Sequence, residues 1–255
     1  MSFDLTAQIP NLIECAYSAG QAILEIYNSD DFNIEHKEDN SPLTIADRNA
    51  HDVIVSYLKT TNLPILSEEG EGISYEIRKN WNLFWMVDPL DGTKEFIKRN
   101  GEFTVNIALI QNQKPIFGIV YAPVLDKMFI GDVLKGAKLI EKGVEMELIN
   151  SSQNSQSVRI VASRSHLNSD TETFINKFEQ SEIVSMGSSL KFMVIAEGKA
   201  DVYPRFAPTM EWDTAAAHAV LNALGIKVNN NETGNELLYN KEDLLNPHFL
   251  VNNLK

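Results

Sequence analysis

The chain has 255 residues, of which 44% are hydrophobic and 22% are charged, as in a soluble globular protein with a sizeable core. Its 22 Lys and Arg against 35 Asp and Glu give a formal net charge of -13, which disfavours nucleic acid and anionic membranes as partners. A single cysteine, Cys15, excludes an intramolecular disulfide, and no segment has the ~18 consecutive apolar residues of a membrane span. We therefore expect a cytoplasmic protein that binds any phosphate-bearing ligand through local cations.

The first half of the chain is predicted to form helices followed by consecutive strands. After Pro10, apolar residues from Leu12 to Ile26 recur every three or four positions, which predicts a helix, and a second helix is predicted from about Thr44. Strands are predicted at "LPIL" and "LFWMVD", and the alternating side chains of "GEFTVNIALI" predict a half-buried strand. With "PIFGIVYAP" and "KMFIGDV" they indicate a largely antiparallel sheet.

The second half is predicted to alternate strands with helices. Its strands are expected at "VRIVAS", "IVSMG", "ADVYPRF" and "GIKVN", and its helices at 170–179, "SSLKFMVIAEG" and "DTAAAHAVLNAL". The polar, uncharged segment "NSSQNSQS" at 150–157 is the best linker candidate. We therefore predict an α+β domain over residues 1–150 and an α/β domain over 151–255, with a ligand cleft between them.

Four acidic clusters stand out, and each has a structural interpretation when taken alone. Asp47 follows Thr44 at capping-box spacing, so helix capping is the favoured interpretation. The pair Glu68-Glu69 is typical of a solvated loop, and Asp88-Pro89-Leu90-Asp91-Gly92 is typical of a tight turn. Asp213 is placed to cap the helix that follows it.

Together, the acidic clusters favour a metal site. Mg²⁺ prefers oxygen ligands and is typically held by carboxylates with substrate phosphates, and two such ions ~3.5–4 Å apart can hold the attacking and leaving oxygens of a phosphoryl displacement. Pro89 restricts the backbone, so that the Leu90 carbonyl can be a further ligand. The candidate ligands from separate segments are Glu68, Asp88, the Leu90 carbonyl, Asp91 and Asp213.

The residues after Asp91 suggest where phosphate and water would bind. Gly92 permits close approach of the backbone to an anion, and the amides of Gly92 and Thr93 would open a helix towards phosphate. The Thr93 hydroxyl can pass a proton from water to a carboxylate such as Asp47.

Three motifs in order, "SEEG" at 67–70, "DPLDGT" at 88–93 and "WDTAA" at 212–216, resemble the signatures of the lithium-sensitive, Mg²⁺-dependent phosphatases related to inositol monophosphatase. Within that superfamily, "DPLDGTKEF", "SRSH", "GSSLKF" and "YPRF" are similar to the nucleotidase branch. An inositol monophosphatase would more usually have Asn-Phe after Gly-Thr, where this chain has Lys94-Glu95-Phe96.

The resemblance implies a layered αβαβα fold of the inositol monophosphatase and fructose-1,6-bisphosphatase type. It also implies hydrolysis of the 3'-phosphate of adenosine 3',5'-bisphosphate to AMP, a step of sulfate assimilation, with 3'-phosphoadenosine 5'-phosphosulfate as a second substrate. Two or three Mg²⁺ ions per site, lithium inhibition and a monomer or homodimer are further expectations. Peripheral attachment at the inner membrane occurs among relatives, but no amphipathic basic helix supports it here.

The resemblance also assigns roles to residues. The metal ligands fall on Glu68, Asp88, Leu90, Asp91 and Asp213, and the water-activating pair falls on Asp47 and Thr93, with Glu68 counted as catalytic. Most ligands would lie in the first domain, whereas Asp213 and the nucleotide-binding residues would lie in the second. Besides Gly92, Thr93 and Asp213, the expected substrate-binding residues are Ser163, His166, Gly187, Ser188, Lys191 and Arg205.

One departure and two alternatives accompany this interpretation. Ala217 stands where the family often has glycine after "WDTAA", and we expect a small adjustment of packing rather than loss of the site. The first alternative is a phosphatase for inositol phosphates or a sugar bisphosphate. The second is a catalytically silent nucleotide or metal sensor, which has no need of the water-activating pair Asp47 and Thr93.

Overall fold

The computed structural model describes residues 3–29, 42–150, 157–162 and 168–254. Most of the predicted linker, together with Ser163 and His166, lies outside the described residues, so the domain boundary stays a prediction. In the described part of the chain no helix has the length and apolar character needed to cross a membrane. The helices are α1 Leu5–Tyr27, α2 Pro42–Leu58, α3 Tyr75–Arg78, α4 Thr93–Ile97, α5 Ser169–Ile175, α6 Leu190–Ala196 and α7 Trp212–Ala223.

Two sheets organise the fold. The first contains seven strands in sequential order, in which β1 pairs in parallel with β2 and every later pair is antiparallel, so the predicted antiparallel character is confirmed. Its strands are β1 Ile65–Ser67, β2 Leu83–Asp91, β3 Thr104–Gln111, β4 Lys114–Ala122, β5 Lys127–Asp132, β6 Gly136–Glu141 and β7 Val144–Leu148. The second has the order β11-β12-β10-β8-β9 and contains β8 Val158–Val161, β9 Ser181–Val184, β10 Val202–Arg205, β11 Val228–Asn230 and β12 Phe249–Asn252.

The helices separate and cover the sheets in layers. Apolar residues of α1 and α2 form one buried cluster with one face of β2 to β5. The opposite face of the first sheet forms a second cluster with α6, α7 and the strands of the second sheet. Helix α5 contacts β10. The order helix, sheet, helix, sheet, helix is therefore the αβαβα arrangement that the sequence resemblance implies.

The prediction that β3 is half-buried was wrong. Val105 and Ile107 point into the cluster with α1 and α2, whereas Ala108 and Ile110 point into the cluster with α7. Thr104 and Asn106, which the alternation placed on a solvent face, are 0% and 1% exposed. Helices cover both faces of this strand, so its polar residues are buried and face other protein groups.

The beginnings of the first two helices also differ from the prediction. Helix α1 starts at Leu5, before Pro10, because the Asp4 carboxylate accepts hydrogen bonds from the amides of Thr6 and Ala7 at 3.0 and 3.4 Å. Helix α2 starts at Pro42, so Asp47 lies in its second turn. The capping-box interpretation of Asp47 is therefore wrong, because a carboxylate this far into the helix has no free amide of the first turn to accept.

Candidate active site

A β-bulge in β2 directs two aspartates into one cavity. Asp88 pairs with Asn106 and Asp91 pairs with Thr104, so three steps along β2 face two steps along β3. Side chains three apart on a regular strand point to opposite faces, and the extra residue of the bulge brings Asp91 back to the side of Asp88. Both aspartates line the same cavity. The predicted turn at 88–91 is thus a bulged strand, in which Pro89 is tolerated because a bulge leaves one amide unpaired.

The chain turns only after Asp91, at Gly92. The φ of Gly92 is +107°, a left-handed conformation that favours glycine, and an added Cβ would lie 3.1 Å from the Cα of Phe103. The five-residue helix α4 then begins at Thr93, whose exposed side chain lines the cavity. Gly92 and Thr93 therefore lie at the cavity wall, where the sequence predicted a phosphate-binding turn.

Glu68 is brought to the aspartates by the parallel pair of strands β1 and β2. Ser67 lies opposite Val87, and the Glu68 amide donates to the Val87 carbonyl at 3.1 Å. Glu68 is the residue after β1 and Asp88 is the residue after Val87, so the two lie at the same level of the sheet. The Asp88 side chain is 1% exposed, and its Oδ1 accepts the Leu90 amide at 3.1 Å.

Asp213 reaches the same cluster from the second half of the chain. It is the second residue of α7, and its Oδ2 accepts the Met210 amide at 2.9 Å, so it bonds backward rather than capping the helix. Carboxylate oxygens of Glu68, Asp88 and Asp213 all lie within 4.8 Å of one another. Three separate segments of the chain thus place carboxylate oxygens close enough together to bind one cation.

Ser189, which the sequence interpretation did not single out, connects Asp91 to Asp213. Its hydroxyl lies 2.8 Å from the Asp91 Oδ2 and 2.8 Å from the Asp213 carbonyl, and it accepts from the Asn106 side-chain amide at 3.0 Å. The single hydroxyl proton serves one of the two acceptors at a time. A signal was present in "GSSLKF", but one sequence cannot tell which of two adjacent serines forms a hydrogen bond with Asp91.

Burial, and after it the charges of neighbouring carboxylates, raise the pKa values of the acidic residues in this cluster. Burial and then the Asp91 charge raise the pKa of Asp213 to about 7, and burial with Glu69 and Glu68 raises the pKa of Asp47 to about 8. Burial and the neighbouring carboxylates also raise the pKa of Asp88. Burial raises the pKa of Asp91 too, but Lys191 opposes this shift. Ionisation of these carboxylates is therefore less favourable than in water, and positive charge nearby promotes it.

The donor set fits a hard divalent cation. All the side-chain donors are carboxylates, which suit Mg²⁺ better than softer metals. Within the described residues, Oδ1 of Asp47 is buried with no hydrogen-bond partner, although α2 packs on β2 close to the cluster. A buried carboxylate oxygen without a partner, on a group whose pKa is raised, is expected where a bound cation or water completes the site.

The cavity that contains the carboxylates is also lined by several of the predicted substrate-binding residues. It has a volume of about 590 Å³ and is also lined by Gly187, Ser188, Lys191 and Arg205. The Gly187 amide already donates to Glu102 Oε2 at 2.7 Å, so it is not a free donor for a substrate. Gly187 can contribute to the site only by allowing a close approach of the substrate. Lys94 and Glu95, noted in the sequence only as a departure from the inositol monophosphatase pattern, also line the cavity. Three further lining residues just after α4, which carry no distinctive spacing in the sequence, are Lys98, Asn100 and Glu102.

Comparison with known proteins gives a consistent result. The chain matches the inositol monophosphatase family over residues 5–254. It is 44% identical over 247 residues to the 3'(2'),5'-bisphosphate nucleotidase CysQ of Escherichia coli strain K12, covering 95% of this chain and 98% of that protein. The protein of the same name from Haemophilus influenzae is 34% identical over 245 residues, covering 92% of this chain and 89% of the relative.

Solved structures agree with the sequence comparisons. CysQ from Bacteroides thetaiotaomicron, a bacterial member of the inositol monophosphatase family, is 45% identical and superposes with a TM-score of 0.92 over 100% of both chains. Inositol monophosphatase II from Staphylococcus aureus, at 21% identity, shares the fold with a TM-score of 0.77, covering 97% of this chain and 89% of the other. This chain belongs to the inositol monophosphatase family.

Proposed function

We propose that this protein is a Mg²⁺-dependent 3'(2'),5'-bisphosphate nucleotidase that converts adenosine 3',5'-bisphosphate to AMP and phosphate. The observation that carries the proposal is the convergence of Glu68, Asp88 and Asp213 within 4.8 Å in a cavity that is also lined by Lys191 and Arg205. The 44% identity to a relative named for this activity supports the choice of substrate. A role in sulfate assimilation, and activity on 3'-phosphoadenosine 5'-phosphosulfate, follow from the same proposal.

The carboxylate cluster would hold the metal. Glu68, Asp88, Asp91, Asp213 and the Leu90 carbonyl would share two or three Mg²⁺ ions. When bound, Mg²⁺ supplies the positive charge that polarises the reacting phosphoryl group. Ionisation of the four carboxylates would then be favoured, because the bound charge offsets the burial and the mutual repulsion that raise their pKa values. Ser189 orients the Asp91 carboxylate by donating to its Oδ2.

The remaining residues would orient the substrate and move the proton. The Thr93 hydroxyl would hold the attacking water and would pass a proton from this water to the Asp47 carboxylate. The amides of Gly92 and Thr93 would donate to oxygens of the reacting phosphate. Lys191 and Arg205 would bind the second phosphate. These two cations provide local positive charge in a chain whose overall formal charge is -13. Ser163, His166, Gly187 and Ser188 would complete the nucleotide site.

Phosphate release tests the proposal directly. Purified protein given adenosine 3',5'-bisphosphate and Mg²⁺ is expected to release phosphate, and excess chelator is expected to stop it. The Asp91→Asn variant removes one ligand charge without changing the size of the side chain, and is expected to lose about 10²-fold or more in kcat. Release by the wild-type protein no faster than by this variant would refute the proposal.

A substrate panel tests the choice within the family. Rates on adenosine 3',5'-bisphosphate, adenosine 2',5'-bisphosphate, inositol 1-phosphate and fructose 1,6-bisphosphate are to be compared at equal Mg²⁺. Both nucleotides are expected to have a higher kcat/KM than inositol 1-phosphate, because Lys191 and Arg205 can bind their second phosphate, and a higher one than fructose 1,6-bisphosphate, because the 44% identical relative is named for nucleotidase activity. Equal or better hydrolysis of inositol 1-phosphate would favour the first alternative, and tight nucleotide binding without turnover would favour a sensor.

A further inference from the structure

Glu211 is a buried acidic residue close to the site, and it has no role in the proposed reaction. It immediately precedes α7 and is 0% exposed. Its carboxylate accepts hydrogen bonds from the backbone amides of Asn240 and Lys241 and from the Lys241 ammonium group, which also forms an ion pair with it. Burial raises the pKa of Glu211, whereas Lys241 opposes that shift. The charge is thus surrounded by donors from one distant segment of the chain.

That segment, residues 238–246, encloses the first turn of α7. The Glu211 amide donates to the Leu244 carbonyl at 2.9 Å. Asn246 donates to the Met210 carbonyl at 2.7 Å and to the Thr214 hydroxyl at 3.1 Å. Met210 in turn donates its amide to the Asp213 carboxylate at 2.9 Å. The residues on each side of Asp213 are therefore fixed by the same segment that surrounds Glu211.

Arg78 joins this segment to the connection between β1 and β2, at the start of which Glu68 lies. It ends α3, which lies in the connection between β1 and β2 that begins with Glu68, and it is 3% exposed. Its guanidinium donates to the Asn240 side chain at 2.9 Å, to the Lys241 carbonyl and to the Glu242 carbonyl at 2.7 Å. Asn240 returns a hydrogen bond to the Arg78 carbonyl at 2.7 Å.

A buried ionic cluster of this kind contributes little to stability compared with apolar residues of similar volume, but it specifies one geometry. Here the fixed geometry connects two metal-ligand segments that are far apart in sequence. Metal sites depend on such supporting residues, whose loss typically weakens metal affinity by 10–100-fold.

We propose that Glu211 is a positioning residue, which holds Asp213 at its working distance from Glu68 through segment 238–246 and Arg78. The inference rests on the proposed function, because it takes Asp213 and Glu68 as metal ligands. Glu211 itself touches neither the substrate nor the metal in this scheme.

Metal titration of the full-length protein without substrate tests this proposal. Wild-type protein and the Glu211→Gln variant, both stripped of metal with chelator, are titrated with MgCl₂ and with MnCl₂ by calorimetry. Glutamine keeps the volume of the side chain, but its NH₂ group would face the N–H donors of Asn240 and Lys241. We therefore expect metal affinity to fall about 10-fold or more. The Mg²⁺ concentration for half-maximal turnover should rise in parallel, whereas KM for the nucleotide at saturating Mg²⁺ should change less than about two-fold.

Two further variants complete the test. Glu242→Gln makes the same substitution at an exposed neighbour that contributes only its carbonyl to Arg78, and wild-type affinity is expected. Lys241→Met removes the cation facing Glu211 but keeps the backbone amides of Asn240 and Lys241 that donate to it, so we expect a less stable protein that still folds and binds metal more weakly than wild type. Wild-type metal affinity in folded Glu211→Gln, or in Lys241→Met if the first variant does not fold, would overturn the inference. An inactive wild-type protein that still binds Mg²⁺ would instead refute the proposed nucleotidase function alone.

Discussion

At the scale of single residues, the buried Asp47 carboxylate lowers the stability of the fold as the pH rises. In the unfolded chain Asp47 titrates near its ordinary value of 3.8, whereas in the metal-free fold its pKa is raised to about 8. Between these values the folded state binds more protons than the unfolded state, so the free energy of unfolding falls as the pH rises. The loss of unfolding free energy that Asp47 causes reaches its full size above about pH 8 and is absent below about pH 4.

The pH dependence of the Asp47→Asn variant checks this interpretation. In chelator, raising the pH from about 5 to about 8 should stabilise the variant relative to the wild type by about 1–3 kcal/mol, because asparagine has no charge to bury. Urea denaturation at each pH measures the difference. Asp52→Asn, an exposed substitution on the same helix, is the matched control. Parallel stability curves for Asp47→Asn and wild type would contradict the raised pKa.

Lys191 is the cation whose charge acts on Asp91, and it also lines the cavity. Lys191→Met is expected to raise KM for adenosine 3',5'-bisphosphate by about 10-fold or more, because a charged hydrogen bond to phosphate contributes about 1.5–3 kcal/mol. Steady-state kinetics at saturating Mg²⁺ measure this. Lys114→Met, at an exposed position of β4, should leave KM unchanged. An unaltered KM in Lys191→Met would remove Lys191 from the substrate site.

At the scale of elements, α7 connects the core to the site. It packs on β4 and β5 at two glycines, where an added Cβ at Gly118 would lie 2.2 Å from the Ala216 carbonyl oxygen and one at Gly131 would lie 2.4 Å from the Val220 Cα. Backbone atoms cannot rotate away from such contacts. Ala217, the expected departure from family glycine, is 0% exposed and lies within the same core cluster.

Replacing one of these glycines should therefore disturb both stability and activity. Gly131→Ala is expected to lower the free energy of unfolding by about 1–3 kcal/mol or more, because α7 must move away from the sheet. The shift would displace Asp213, so kcat should also fall. Urea denaturation and phosphate release measure the two effects, with Gly72→Ala as control, where an added Cβ meets nothing within 4 Å. Wild-type stability of Gly131→Ala would show that α7 does not pack this closely.

At the scale of the whole molecule, the two halves of the chain share one core. Residues of α6, α7, β10 and β12 belong to the same buried cluster as residues of β2, β3 and β4. The first sheet would expose that apolar face if the second half were removed. The predicted α+β and α/β regions therefore have no separate cores on this side, although the boundary between them stays a prediction, as do the oligomeric state and a cytoplasmic or peripheral location.

This shared core predicts a single unfolding transition for the protein. Urea unfolding followed by tryptophan fluorescence and by circular dichroism should give coincident curves, because loss of either half exposes the core of the other. A fragment of residues 1–150 is expected to show no cooperative transition. Two separate transitions, or a cooperatively folding fragment, would contradict this expectation.

The sequence by itself determined the acidic motifs, the antiparallel first half and the family, because motif spacing and apolar periodicity are local properties. It failed where other elements intervene, as in the half-buried β3 and the capping interpretation of Asp47. Only the tertiary structure decided that a bulge turns Asp91 to the side of Asp88, and that Glu68 and Asp213 meet them. The surroundings of Glu211 were likewise hidden, since burial and convergence arise from contacts between residues far apart in the chain.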